Sequence, residues 1–91
     1  MIARRLVVHG RVHGVGFRAA MVDAAVAYGL SGWVRNRTGG QVEAHVQGAS
    51  QPIDAIVAWC RRGPPAASVR VVEVAEVPVD AAAGFRILPT A

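Results

Sequence analysis

The segment with the strongest chemical content is residues 10–18, GRVHGVGFR, which joins an apolar stretch to a helical pattern. Its three glycines in seven positions predict a turn whose successive backbone N–H groups converge on an anion. The start of the following helix adds a partial positive charge, and Arg18 in the first helical turn can bind the same anion bidentately. This combination suits a phosphoryl group. The pattern by itself equally allows a tight turn in which the glycines serve packing and Arg18 is solvated.

A second candidate is Asn36, within residues 32–40, GWVRNRTGG. It ends a predicted strand just before a glycine-rich turn, where an asparagine is ordinarily a turn former. A chemical role requires a neighbouring site. If the first and third strands form the central pair of a sheet, the strand that ends at Asn36 flanks them. Its end can then lie near the loop after the first strand, where an amide can orient a water at phosphorus.

The elements that must position these residues follow from hydrophobic patterning. The predicted strands are residues 3–9, 30–36, 41–47, 69–77 and 85–88. Helices are predicted over 17–28 and from an N-cap at Ser50 to the Arg61-Arg62 pair, with Gly29 and Gly63 after their ends. One apolar stripe marks each helix: Phe17, Met21, Ala24 and Tyr28 in the first, and Ile53, Ile56, Val57 and Cys60 in the second.

The third predicted strand alternates most clearly, with Val42, Ala44 and Val46 on one face and polar residues on the other. In the fourth, the alternation breaks at Val71-Val72, which predicts a bulge or burial on both faces.

This order predicts an α+β fold of the ferredoxin-like type. It is a two-layer sandwich, β-α-β-β-α-β with a short extra C-terminal strand, a mostly antiparallel sheet and two helices on one face. The other sheet face is expected to be partly exposed. The 91 residues fit a single domain, 1–91, with a small core and a shallow site.

Composition restricts the chemistry further. All ten basic residues are arginines, so lysine-based Schiff-base and general-base chemistry are excluded. The net charge of +4 favours anionic partners. No apolar run has the length of a membrane span or a signal peptide, and a single cysteine excludes an intrachain disulfide, so we expect a cytoplasmic protein. The cysteine and three scattered histidines show no zinc spacing.

Both chemical segments resemble the signatures of the acylphosphatase family. Residues 10–18 match G-x-V-Q-G-V-x-F-R, with His13 in place of glutamine. Residues 32–48 match a second signature, in which a glycine, an aromatic, a small apolar and a basic residue precede asparagine, and G-x-V and a final glycine follow. Gly39 stands where aspartate is common. The resemblance covers essentially the whole chain, including residues 59–65.

The resemblance implies hydrolysis of a small acyl phosphate to a carboxylate and inorganic phosphate, without a metal or a cofactor. Arg18 would bind the phosphate and Asn36 would orient the attacking water. Backbone N–H groups would bind the phosphate oxygens together with Arg18, and they belong to His13, Gly14, Val15, Gly16 and Phe17. Inorganic phosphate or sulfate would bind as a product-like ligand. We expect a monomer with neither nucleic acid nor membrane as a partner.

Two other function classes remain as alternatives. A nucleic-acid-binding module fits the positive charge, but the predicted central strands carry no aromatics for base stacking. A non-catalytic anion-binding module, or a domain of a larger enzyme that uses carbamoyl phosphate, would keep the same fold. A free-standing protein is expected, and the presence of both Arg18 and Asn36 favours catalysis over binding alone.

The other polar and aromatic residues are interpreted as structural. His9 and His45 are expected at the strand surface or at an edge. Trp33 and Trp59 are expected to pack, and Cys60 on its apolar stripe is expected to be a buried thiol.

Overall fold

The computed structural model describes residues 1–91 and contains five strands and two helices. The predicted order is confirmed, and the predicted boundaries hold to within two residues. In chain order the elements are β1 (Ile2–Arg11), α1 (Phe17–Ala27), β2 (Ser31–Asn36), β3 (Val42–Gly48), α2 (Ser50–Arg62), β4 (Ser68–Val77) and β5 (Phe85–Ile87).

The five strands form one mixed sheet in the order β4-β1-β3-β2-β5. All neighbours are antiparallel except β2 and β5, so the predicted central pair, β1 and β3, is confirmed. Because β1 and β2 are both antiparallel to β3, they run in the same direction and their carboxyl ends meet at one edge of the sheet. The loop after β1, the start of α1 and Asn36 therefore lie at the same edge.

Both helices pack on one face of the sheet, α1 over β2 and β5 and α2 mainly over β4 and β1. The buried residues of α1 are Phe17, Met21 and Ala25. The predicted stripe is wrong at its end, because Tyr28 lies beyond the last helical residue and is 39% exposed. The predicted stop is confirmed, since Gly29 follows the helix with a φ of 70°, which favours glycine.

Helix α2 buries Ile53, Ile56 and Cys60, as its stripe predicts, with Val57 half-buried. The prediction that Ser50 caps this helix is wrong. Ala49 occupies the capping position, and no side chain bonds to the first turn. Neither helix of the chain has the length and hydrophobicity that a bilayer span requires.

Cys60 is fully buried between the helices, with its Sγ 3.9 Å from Sδ of Met21. Burial raises the pKa of this thiol from 9.0 to about 12, because the thiolate would lose its hydration.

We expect the native protein to react with a thiol-specific reagent at pH 8 about 100-fold more slowly than the protein in urea. Above pH 9 the unfolded chain loses this proton more readily, so the free energy of unfolding should fall as pH rises towards 12.

The face of the sheet away from the helices departs from expectation at β3, where all seven residues are buried. His45, expected at the surface, is 4% exposed. Its ring stacks on Trp33 of β2 at 6.2 Å, and its Nε2 lies 2.9 Å from Oε1 of Gln47. Gln47 in turn exchanges two hydrogen bonds with the backbone of Asp80, so the loop before β5 covers this end of β3. Long side chains from β1 and β2 cover the rest.

The buried carboxylate of Glu43 holds two of these long side chains. It accepts hydrogen bonds from Arg35 Nε at 2.8 Å and from Arg5 at 3.1 Å, and its side chain is 6% exposed. Glu43→Gln should lower the free energy of unfolding by about 1–3 kcal/mol, measured by urea denaturation. The matched variant Glu76→Gln removes a carboxylate that is 86% exposed and pairs with Arg4 at 3.5 Å, and should cost less than about 0.5 kcal/mol. Equal losses in the two variants would show that burial of Glu43 contributes nothing.

The predicted irregularity in β4 is present one residue before the predicted position. The register with β1 shifts between His9 and Gly10, which leaves Arg70 as the extra residue. The alternative expectation, burial on both faces, is wrong, because Val71 is 47% exposed while Val72 is buried.

Candidate active site

A shallow cleft of about 200 Å³ opens at the sheet edge where β1 and β2 end. It brings together Arg18 and Asn36, which are 18 residues apart in the sequence. Of the predicted phosphate-binding residues, four line the cleft, and three further apolar residues and Asn36 complete it. The lining residues are Val12, Gly14, Gly16, Phe17, Arg18, Ala19, Asn36 and Ile87.

The loop between β1 and α1 contains two glycines in the left-handed region, Gly14 with a φ of 70° and Gly16 with a φ of 76°. A Cβ built on either residue would meet no atom within 4 Å. Close packing therefore does not explain these glycines, which was the alternative that the sequence left open. Their left-handed backbone conformation explains them, because glycine adopts it without strain. Alternation of left-handed and right-handed residues turns successive N–H groups to one side of the chain.

The backbone N–H groups of residues 12–19 donate to no acceptor in the protein. The first bonded amide is that of Ala20, which donates to the carbonyl of Gly16. The α1 N-terminus has no side-chain cap and no acidic residue in its first turn. Eight consecutive amides are thus free to bind water or an anion, and the helix dipole adds positive potential at the same place.

The guanidinium of Arg18 makes no ion pair and no side-chain hydrogen bond in the protein. No acidic residue lines the cleft. The charge of Arg18 is therefore not neutralised by the protein, and the N–H donors of its guanidinium are available to an anion. No group of three His, Cys, Asp or Glu side chains is arranged to hold a metal ion.

Asn36 is the last residue of β2, and its side chain shares the helix-covered sheet face with Val34 and Val42. Its Oδ1 is buried and has no hydrogen-bond partner in the protein. A buried oxygen of this kind requires a donor, which in an open cleft is a water molecule or a ligand. The backbone carbonyl of Asn36 accepts a hydrogen bond of 3.0 Å from the N–H of Ala91, so the segment after β5 helps to hold this residue.

His13 and Val15, two of the predicted phosphate-binding residues, are not among the residues that line the cleft. The imidazole of His13 donates from Nε2 to the backbone carbonyl of Gln41 at 2.8 Å, and Val15 packs against the core. Only the backbone amides of these two residues remain available for the predicted binding role.

Sequence reasoning missed Val12, Ala19 and Ile87 as lining residues. Val12 and Ala19 adjoin predicted site residues, so a wider window around the motif would have included them. Ile87 is different, because it reaches the cleft only through the parallel pairing of β5 with β2. A three-residue edge strand carries no sequence signal for its partner.

A family model of acylphosphatases matches residues 4–87 of the chain. The chain belongs to the acylphosphatase family. This membership favours a hydrolase of small acyl phosphates over the nucleic-acid-binding module and the non-catalytic anion-binding module that the sequence left open.

Individual relatives agree with this family. An acylphosphatase of Acidovorax sp. (strain JS42) is 50% identical over 84 residues, which cover 92% of this chain and 87% of the relative. The crystal structure of acylphosphatase from Bacillus subtilis matches with a TM-score of 0.94 and 34% identity, over 97% of this chain and 99% of that one. An acylphosphatase structure from Coxiella burnetii matches with a TM-score of 0.93 and 33% identity, over 96% and 92%. The chain is thus similar to acylphosphatases over nearly their full length.

Proposed function

We propose that this acylphosphatase binds the phosphoryl group with Arg18 and the amides of residues 13–17, while Asn36 orients the attacking water. One observation carries the proposal. Of eight consecutive unbonded amides, six belong to residues that line the same cleft as the unpaired guanidinium of Arg18 and Asn36, whose buried Oδ1 has no partner. Donors without acceptors suit a dianion, and an acceptor without a donor suits water.

The positive groups match the charge that phosphoryl transfer must stabilise. The transition state is loose and spreads charge over three equatorial oxygens, so its energy depends on positioned donors more than on a strong base. Backbone amides fixed by the loop conformation need no reorganisation during the reaction. Arg18 adds a full charge and a planar fork to these partial charges.

Asn36 supplies orientation in this proposal. Its Oδ1 accepts a hydrogen bond from the water, which directs an oxygen lone pair at phosphorus. The water–phosphorus bond forms as the bond from phosphorus to the carboxyl oxygen breaks, and the carboxylate leaves with that electron pair. The water's proton passes to a phosphate oxygen, since no protein carboxylate lines the cleft. A carboxylate is a good leaving group and requires no general acid.

We also propose an oligomeric state and a cellular compartment for the protein. The proposed roles require residues of one chain and neither a metal nor a cofactor, so a monomer is expected to function without either. The buried thiol of Cys60 fits the reducing cytoplasm. Light scattering should give the mass of one 9.5 kDa chain, and inorganic phosphate or sulfate should inhibit competitively as product-like ligands.

Hydrolysis of benzoyl phosphate in ¹⁸O-enriched water, with EDTA present, tests the reaction. We expect turnover that resists EDTA and places one ¹⁸O atom in the inorganic phosphate, because the water attacks phosphorus. Label in the benzoate would show attack at the acyl carbon and overturn the role of Asn36. Turnover that EDTA abolishes and Mg²⁺ restores would overturn the metal-independent mechanism.

A further inference from the structure

The loop that binds phosphate and the hairpin that carries Asn36 are joined by one side chain. His13 lies in the loop, is half-buried, and donates from Nε2 to the carbonyl of Gln41 at 2.8 Å. Gln41 lies across the β2–β3 turn from Asn36. No other side-chain hydrogen bond connects residues 12–16 to the rest of the protein.

The acceptor of this bond belongs to the same small unit as Asn36. The carbonyl of Gln41 also accepts the N–H of Arg37 at 2.8 Å. Arg37 directly follows Asn36, and Val42, which directly follows Gln41, pairs with Asn36 in the sheet. The carbonyl therefore has two donors, one from the phosphate loop and one from the residue next to Asn36.

We infer that His13 is a positioning residue for hydrolysis, which sets the distance between the bound phosphoryl group and the water held by Asn36. This inference rests on the proposed roles of Asn36 and the loop. The reason is geometric. The loop amides locate the phosphorus, Asn36 locates the water, and in-line attack requires both within a fraction of an ångström. None of the backbone N–H groups of residues 12–16 bonds to the protein, so the imidazole makes the only hydrogen bond between the loop and the hairpin.

A role in placing the water affects turnover more than affinity. Without the bond, the loop can still fold around phosphate, since its glycines and the start of α1 are unchanged. The water and the phosphorus would then spend less time in line, which lowers kcat. Because the role depends on the N–H donor, a substituted side chain that can donate to the carbonyl of Gln41 should preserve kcat.

The test compares two variants of similar side-chain length. His13→Met removes the donor and should lower kcat about 5- to 20-fold, with the inhibition constant for inorganic phosphate changed less than about threefold. His13→Gln restores an N–H donor and should return kcat to within about threefold of the wild type. The control His9→Ala removes a half-buried histidine of β1, which pairs with Glu73 and is not among the residues that line the cleft, and should leave kcat unchanged.

A double-mutant cycle with Asn36→Ala separates this role from a general loosening of the loop. If His13 acts through the placement of the water, His13→Met should cost little in a protein that already lacks the Asn36 amide. An undiminished loss in that background, with Asn36→Ala alone impaired, would overturn the role of His13 and leave the proposed function intact. Equal losses of kcat and phosphate affinity in His13→Met would also overturn it. Normal turnover by Asn36→Ala would overturn the proposed function itself and, with it, this inference.

Discussion

Replacing Arg18 with alanine should lower kcat/KM for benzoyl phosphate by about 1000-fold or more and weaken binding of inorganic phosphate. The guanidinium has no carboxylate partner in the protein, so its whole charge is available to the phosphoryl group. Steady-state kinetics with phosphate as competitive inhibitor measures both effects. Because the Arg18 side chain makes no hydrogen bond in the protein, the urea midpoint should stay unchanged.

A matched control distinguishes this effect from the loss of any positive charge. Arg62 is exposed in the last turn of α2, outside the residues that line the cleft, and Arg62→Ala should keep wild-type kinetics. Arg18→Lys should recover part of the affinity for phosphate and little of kcat, because an ammonium is a point charge without the fork. Full activity in Arg18→Lys would contradict bidentate binding, and more than a tenth of wild-type activity in Arg18→Ala would contradict the assignment of Arg18.

Replacing Asn36 with alanine should lower kcat about 100-fold or more while the inhibition constant for phosphate changes less than about threefold. The buried Oδ1 has no partner within the protein, so its removal breaks no structural bond. The variant loses the acceptor that is proposed to align the water. Single-turnover kinetics at saturating acyl phosphate measures this effect directly, since binding no longer contributes.

The comparison with a neighbouring residue makes this prediction specific. Thr38 is exposed two residues later in the same turn, and Thr38→Ala should leave kcat within about twofold of the wild type. Asn36→Asp keeps an acceptor oxygen but adds a negative charge beside the phosphoryl dianion, so phosphate binding should weaken as well. If Asn36→Ala raised KM and left kcat unchanged, Asn36 would be a binding group and the water would be oriented by another part of the cleft.

These two variants probe different halves of one arrangement. In the proposed mechanism, Arg18 and the loop amides provide positive charge that acts on both ground-state binding and the transition state. Asn36 is proposed to direct the nucleophile, a role that acts on the chemical step alone. The expected contrast between lost phosphate affinity in one variant and retained affinity in the other is therefore a stronger test than either loss of activity by itself.

The sequence alone was enough to predict the secondary-structure elements and to select Arg18 and Asn36 as candidate site residues. Apolar residues at a period of two or at three- and four-residue spacing predicted every strand and both helices, because these periods follow directly from backbone geometry. The loop glycines were identified in the same local way, because three glycines in seven positions before a helix predict a turn. Arg18 and Asn36 stood out because of their positions relative to these elements.

Which faces of the strands are buried, and which residues cover them, depends on long-range packing. His45 and Glu43 occupy positions that alternate with valines and alanine, which locally predicts exposure. They are buried because arginine stems, Trp33 and the loop at Asp80 cover that face. The covering residues are distant in the sequence, so the local hydrophobic periodicity of β3 cannot predict this burial.

The assembly of the candidate site likewise depends on contacts between residues that are distant in the sequence. The glycines of the loop left packing and anion binding equally open, until the empty space around Gly14 and Gly16 excluded packing. The bond of His13 to Gln41 spans 28 residues, and Ile87 reaches the cleft through the pairing of a three-residue strand. A sequence specifies which groups can donate, accept or carry charge, since these are properties of each residue. Which donor meets which acceptor depends on strand order and register, and these are determined by the packing of the whole sheet.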